Sequence, residues 1–187
     1  MNATNARRAP WAGRKVAVDV TAAAQRAGPD GTLAVVAPLS GQIVALEDVP
    51  DEAFATGALG PGLAVEPVEG VVVAPVDGVV AAIVSTGHAV GFIGPGGIEL
   101  LVHVGIDTVR VPDVGRFFKF LVRHGDAVEA GQPVADFDLE GLRGTGATLV
   151  SPVVLTGPPG EARVAFTGAP SEVIAGIDVV FTVVWDL

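Results

Sequence analysis

The chain of 187 residues has no cysteine, no tyrosine, three histidines, and 11 Lys and Arg against 21 Asp and Glu. Each shortage excludes something. Without cysteine there is no disulfide framework, no thiolate zinc cluster and no cysteine nucleophile, and a reducing, cytoplasmic setting is compatible with that. A net charge of −10 argues against a nucleic-acid partner, because neutralising phosphates needs clustered Lys and Arg. Gly and Pro, 25 and 14 in number, interrupt every apolar run before the roughly 20 residues that a bilayer-spanning helix needs, so no transmembrane segment is expected. Any imidazole chemistry must come from His88, His103 or His124.

What is plentiful is small and β-branched apolar side chain. Hydrophobic residues make up 50% of the chain but aromatic ones only 5%, a mixture that favours short strands and tight turns over long helices. The length suits one compact domain. Charge is unevenly spread: residues 1–29 hold Arg7, Arg8, Arg14, Lys15 and Arg26 against Asp19 alone, a balance of +4 that leaves −14 for the rest. We expect residues 1–31 to be a flexible basic arm, with a weak alternation at Val16, Val18 and Val20, and residues 32–187 to be a single β domain. The arm has no apolar stretch of the kind a secretory signal requires, so export is not expected.

An internal echo points to duplicated architecture. Val35-Val36-Ala37-Pro38-Leu39-Ser40-Gly41 is repeated 37 residues later as Val72-Val73-Ala74-Pro75-Val76-Asp77-Gly78. Each copy reads as strand, corner, strand, with a Pro that ends ladder donation. Ser151-Pro152-Val153-Val154 is a weaker third echo. Further short runs, Leu63–Val65, Val79–Val84, Ile98–Val104, Val134–Phe137 and Val179–Trp185, are separated by turns such as Gly94-Pro95-Gly96-Gly97 and Gly157-Pro158-Pro159-Gly160. Helical spacing appears only over Asp113–Arg123, enough for one or two turns. Gly125-Asp126-Ala127-Val128-Glu129-Ala130-Gly131 resembles a hairpin of lipoyl and biotinyl domains. The expected fold is all-β, a barrel-sandwich or duplicated hybrid motif of short antiparallel strands with at most short helical turns.

In the run Ile98–Val104, period-two alternation puts Ile98, Leu100, Val102 and Val104 on one aliphatic face and His103 on the other with Leu101 and Glu99. Pattern alone leaves His103 open to the plainer reading of a half-exposed strand histidine. His88, fifteen residues upstream, suits an adjacent strand joined through the Gly94–Gly97 turn, which would bring both imidazoles to one face.

Over residues 33–156 the sequence resembles the glucose-type enzyme IIA component of the bacterial phosphoenolpyruvate:sugar phosphotransferase system. The resemblance rests on Ala37-Pro38-Leu39-Ser40-Gly41, Glu47-Asp48-Val49-Pro50-Asp51, Val73-Ala74-Pro75-Val76-Asp77-Gly78 and Leu101-Val102-His103-Val104-Gly105-Ile106-Asp107-Thr108-Val109, with later matches at Val134–Leu139 and Ser151–Val154. It implies that His103 accepts a phosphoryl group from the phosphocarrier protein HPr and passes it to a membrane-bound IIB/IIC sugar permease. His88 would then bond the phosphoryl oxygens and Thr86 would fix the His88 tautomer. It also implies that Asp51 and Asp107 face a basic carrier surface, although Asp107 is open to a second reading as a turn residue bonding its own backbone. Relatives surround the site with phenylalanines; the matching positions here include Val84, Val90, Leu101 and Val104, with Phe54 retained, as an expected docking collar.

No cofactor is expected beyond the transient phosphoryl group. His88 and His103 alone are half of a tetrahedral zinc shell, so zinc is expected only where a partner supplies a carboxylate. His124 reads as a surface turn residue. Among rivals, a lipoyl or biotin carrier needs a modifiable Lys at a hairpin tip, and neither Lys15 nor Lys119 has that context. A zinc peptidase of related architecture needs a His-x-His element, which is lacking. A regulatory binding module is compatible with phosphotransfer, because phosphorylation changes the local charge by almost two units and can switch regulatory partners.

Overall fold

The computed structural model describes residues 31–157, 162–166 and 171–185. The expected arm, Gly31 apart, lies outside these residues, as do Val16, Val18, Val20 and the Pro158-Pro159-Gly160 part of the later turn.

Among the described residues the chain forms strands β1 (Thr32–Val36), β2 (Gly41–Val44), β3 (Gly62–Pro67), β4 (Val71–Val73), β5 (Gly78–Ile83), β6 (Ala89–Ile93) and β7 (Glu99–His103). Seven more follow: β8 (Phe118–Phe120), β9 (Ala127–Val128), β10 (Pro133–Phe137), β11 (Ser151–Gly157), β12 (Arg163–Ala165), β13 (Glu172–Val173) and β14 (Val179–Val184). Two short helices, α1 (Glu52–Ala55) and α2 (Leu139–Gly144), and a few 3-10 turns complete the fold. Every strand pairing is antiparallel. One sheet runs β13-β2-β3-β11-β7-β6-β5-β9, and two smaller ones run β1-β14-β12 and β4-β10-β8.

The echo has a structural meaning. In each copy a strand leaves a small sheet, turns at the Pro-containing corner and enters the large sheet, β1 into β2 and β4 into β5. The copies also bond each other reciprocally: Val36 N–H donates to Pro75 O at 3.0 Å, and Val73 N–H donates to Pro38 O at 2.9 Å. Positions 37 residues apart thus exchange equivalent bonds, the signature of a pseudo-twofold. Beside it Gly131 and Gly176 touch, with φ +81 and +72, and a Cβ on Gly176 would lie 2.8 Å from the Gly131 Cα, so both need glycine's freedom. The third echo departs from this pattern, because Ser151-Pro152 lies inside β11, without a corner.

One core joins all three sheets, with Phe92, Phe181, Leu39, Ile98, Leu100 and Leu142 its largest fully buried side chains. Burying this many aliphatic groups, each worth about 1.5–3 kcal/mol, explains why so hydrophobic a chain needs no long helix. The helical pattern over Asp113–Arg123 is only partly realised: Val114–Phe117 is a 3-10 turn, and Phe118–Phe120 is instead β8. The ladder to β10, pairing Phe118 with Phe137 and Phe120 with Ala135, outweighs the local periodicity.

Candidate functional site

His103 is the last residue of β7 and Ala89, the first of β6, is its direct partner. The alternation holds: Ile98, Leu100, Val102 and Val104 are buried in the core while His103 lies half-buried on the opposite face. His88 sits one residue before β6, and its carbonyl accepts from Val104 N–H at 2.7 Å. The two imidazole rings meet edge to face with centroids 4.7 Å apart.

Each ring has one nitrogen committed. His103 Nδ1 lies 2.7 Å from the Gly105 carbonyl oxygen. A carbonyl only accepts, so Nδ1 carries the proton and the neutral ring keeps its lone pair at Nε2. His88 Nδ1 lies 2.7 Å from Thr86 Oγ1, which leaves His88 Nε2 as the nitrogen available to a ligand. Burial lowers the His103 pKa from the ordinary imidazole value, against the opposing pull of the Gly105 carbonyl and the Asp51 carboxylate. Burial likewise lowers that of His88, and the neighbouring His103 adds to the effect. Both rings are therefore held neutral near pH 7, the state in which imidazole is a nucleophile.

The Phe54 ring meets His103 edge to face at 5.3 Å, so one wall of the site is α1. Asp51 starts that helix, its Oδ1 accepting from the backbone N–H of Ala53 at 2.9 Å and Phe54 at 3.2 Å. This cap points Phe54 inward onto a second small core with Val49, Ala64, Ile106 and Val154. Among the described residues, no group of three or more His, Cys, Asp or Glu side chains is placed to hold a metal ion.

A neutral imidazole with a single free nitrogen, against an apolar wall and a second imidazole, is suited to accept a phosphoryl group. The model of the family described as "phosphoenolpyruvate-dependent sugar phosphotransferase system, EIIA 1" matches residues 33–158. The chain belongs to this family. A glucose-specific EIIA component from Staphylococcus epidermidis is 41% identical over 127 residues, 68% of this chain and 75% of its own length. An N-acetylglucosamine-specific EIICBA component from Klebsiella pneumoniae is 40% identical over 142 residues, 76% of this chain but 21% of that longer protein. Among solved structures, the glucose permease IIA from Mycoplasma capricolum superposes with a TM-score of 0.72 at 31% identity, covering 81% of this chain and 95% of that one. The EIIA chain is therefore a phosphocarrier component of the sugar phosphotransferase system, with the all-β fold of that structure.

The expected docking collar of this EIIA is only partly present. Val90 is 2% exposed and faces the core, because it pairs with Val102 rather than with His103. Val104 is buried for the same reason of parity. Phe54 is also buried, as the wall beneath His103. Leu101 is half-buried and packs against the Phe54 cluster, and Val84 is exposed. Asp107 is exposed, in the left-handed region at φ 59, and begins a 3-10 turn without capping it. Its carboxylate pairs with Arg110 at 3.3 Å, where the second reading of Asp107 had put a bond to its own backbone. His124 lies exposed in the turn before β9. Gly105, Thr108, Thr148 and Ser151 support the His103 loop, a role the sequence reading assigned to none of them: Gly105 and Thr108 stood in the quoted His-Val-Gly-Ile-Asp-Thr run, Ser151 only as an echo, and Thr148 was not singled out.

Proposed function

We propose that His103 Nε2 is the phosphoryl acceptor. The observation that carries this reading is the 2.7 Å contact of His103 Nδ1 with the Gly105 carbonyl. In the forward step the N–P bond of phospho-HPr breaks as a new N–P bond forms at His103 Nε2, and the proton stays on Nδ1, donated to the Gly105 carbonyl. His88 Nε2–H, set by Thr86 at the other ring nitrogen, donates to the phosphoryl oxygens and stabilises the charge they carry. The phosphoryl group then passes to the IIB component of a membrane permease, in the cytoplasm. Glucose and N-acetylglucosamine are the candidate sugars, in keeping with the names of two relatives; the permease, not this subunit, selects between them. Asp51 and Asp107 dock basic side chains of the carrier, with Val84 and Leu101 as apolar contacts. Zinc, if bound, takes His88 and His103 together with a carboxylate from a partner.

The test is reconstitution with phosphoenolpyruvate, enzyme I and HPr. Wild type becomes labelled, His103→Ala does not, and labelling of that variant would overturn the assignment. His88→Gln still accepts phosphate, while its onward transfer to sugar slows. Unchanged sugar phosphorylation by that variant would remove His88 from the mechanism.

A further inference from the structure

The carbonyl that holds His103 is itself held. Gly105 has φ +70, and a Cβ there would lie 2.6 Å from Thr108 Cγ2 and 2.8 Å from Thr148 O, so the backbone is hemmed in on two sides. Two peptide planes meet at this residue. The one after it carries both the carbonyl that accepts from His103 and the Ile106 N–H, which donates to Thr148 O at 2.7 Å. The one before it is gripped at both ends by hydroxyls. Gly105 N–H donates to Ser151 Oγ at 3.0 Å, and Thr108 Oγ1 donates to Val104 O at 3.0 Å. Ser151 Oγ in turn donates to Leu149 O at 2.7 Å.

We infer that Ser151 and Thr108 are positioning residues for phosphoryl acceptance by His103, a buried hydroxyl clamp that fixes the Gly105 peptide and through it the imidazole tautomer. Both side chains are 0% exposed, and with Ser40 and His88 they make up the buried polar residues among those described. Packing alone would be met by Ala or Val, since a buried hydroxyl stabilises nothing unless its bonds are made. Here both hydroxyls act on one peptide, two bonds from the carbonyl that His103 needs. Freed from the clamp, a glycine has other accessible conformations. Its carbonyl would turn from Nδ1, and the proton would divide between the two ring nitrogens, taking the lone pair from Nε2 in part of the population.

The inference rests on His103 being the acceptor, but its first readout needs no partner. Thr and Val are nearly isosteric, so Ser151→Thr and Ser151→Val differ at this site in the hydroxyl, and Thr108→Val removes the other hydroxyl at constant shape. In the full chain, ring 15N shifts give the His103 tautomer and its pKa, and labelling by phospho-HPr gives the rate. Wild type and S151T should show a single tautomer protonated at Nδ1. S151V and T108V should populate the other tautomer, lower the His103 pKa as the Gly105 contact loosens, and slow labelling about tenfold. Asp51, which also acts on His103, and the adjacent His88 ring are untouched, so the shift reads the Gly105 contact. Folded S151V and T108V with wild-type tautomer, pKa and rate would overturn the inference, leaving the hydroxyls a purely structural role. If S151V does not fold, T108V decides. A wild type that takes no label would instead defeat the acceptor reading, whatever the tautomer.

Discussion

His103 and His88 are tuned toward the neutral state by the same cause, burial, and differ in what opposes or assists it. The consequence is a pH profile. Phosphoryl acceptance should be flat above neutrality and fall only when the pH drops through the depressed His103 value, with a midpoint below the ordinary imidazole value of 6.5. The sign for stability follows from linkage. Below about 6.5 the unfolded chain takes up protons on both imidazoles while the folded chain does so only at lower pH, so stability declines across that window and is unaffected above it. Stopped-flow labelling and urea denaturation across pH 5–8 measure the two effects; an acceptance midpoint above 6.5 would contradict the burial argument. At this scale the sequence was informative in part. Alternation placed His103 opposite the core, and the fifteen-residue spacing placed His88 beside it. Val90, put in the docking collar by the resemblance, faces the core instead, because it pairs with the core residue Val102.

At the scale of elements, the four-residue α1 holds Phe54 against His103, and its N-terminal side-chain cap is Asp51. Substitution separates the cap that Asp51 forms from the docking charge proposed for it. Asp51→Asn keeps an acceptor for the helix and removes the charge; it should leave stability nearly unchanged while weakening association with a basic carrier. Asp51→Ala should cost about 1 kcal/mol by loss of the cap and also loosen the Phe54 wall. Chemical denaturation with binding measured in parallel tests the pair, and equal stability of the two variants would remove the capping role. The cap was not legible in the sequence, where Asp51 figured only as a docking charge. The strands were legible, because short β-branched runs between Gly and Pro have few other options. Phe118–Phe120 was misread as helical because its ladder partner, β10, is distant in sequence.

For the molecule as a whole, the duplication read from the echo at Val35 and Val72 becomes two corners that bond each other reciprocally, a relation no local pattern displays. The charge of −10 acts at long range. Transfer from a basic carrier should fall several-fold as salt rises from about 0.05 to 0.5 M, since the Debye length shrinks toward a few ångströms. Salt-independent transfer would mean that apolar contact alone drives docking.

Phosphoryl acceptance turns on one nitrogen. After phosphorylation in the reconstituted system, 31P–15N NMR of ring-labelled protein identifies the phosphorylated atom directly. A phosphoryl group coupled to Nε2 of His103, with Nδ1 still protonated, is the predicted result, whereas attachment to Nδ1 of His103 or to His88 would contradict it.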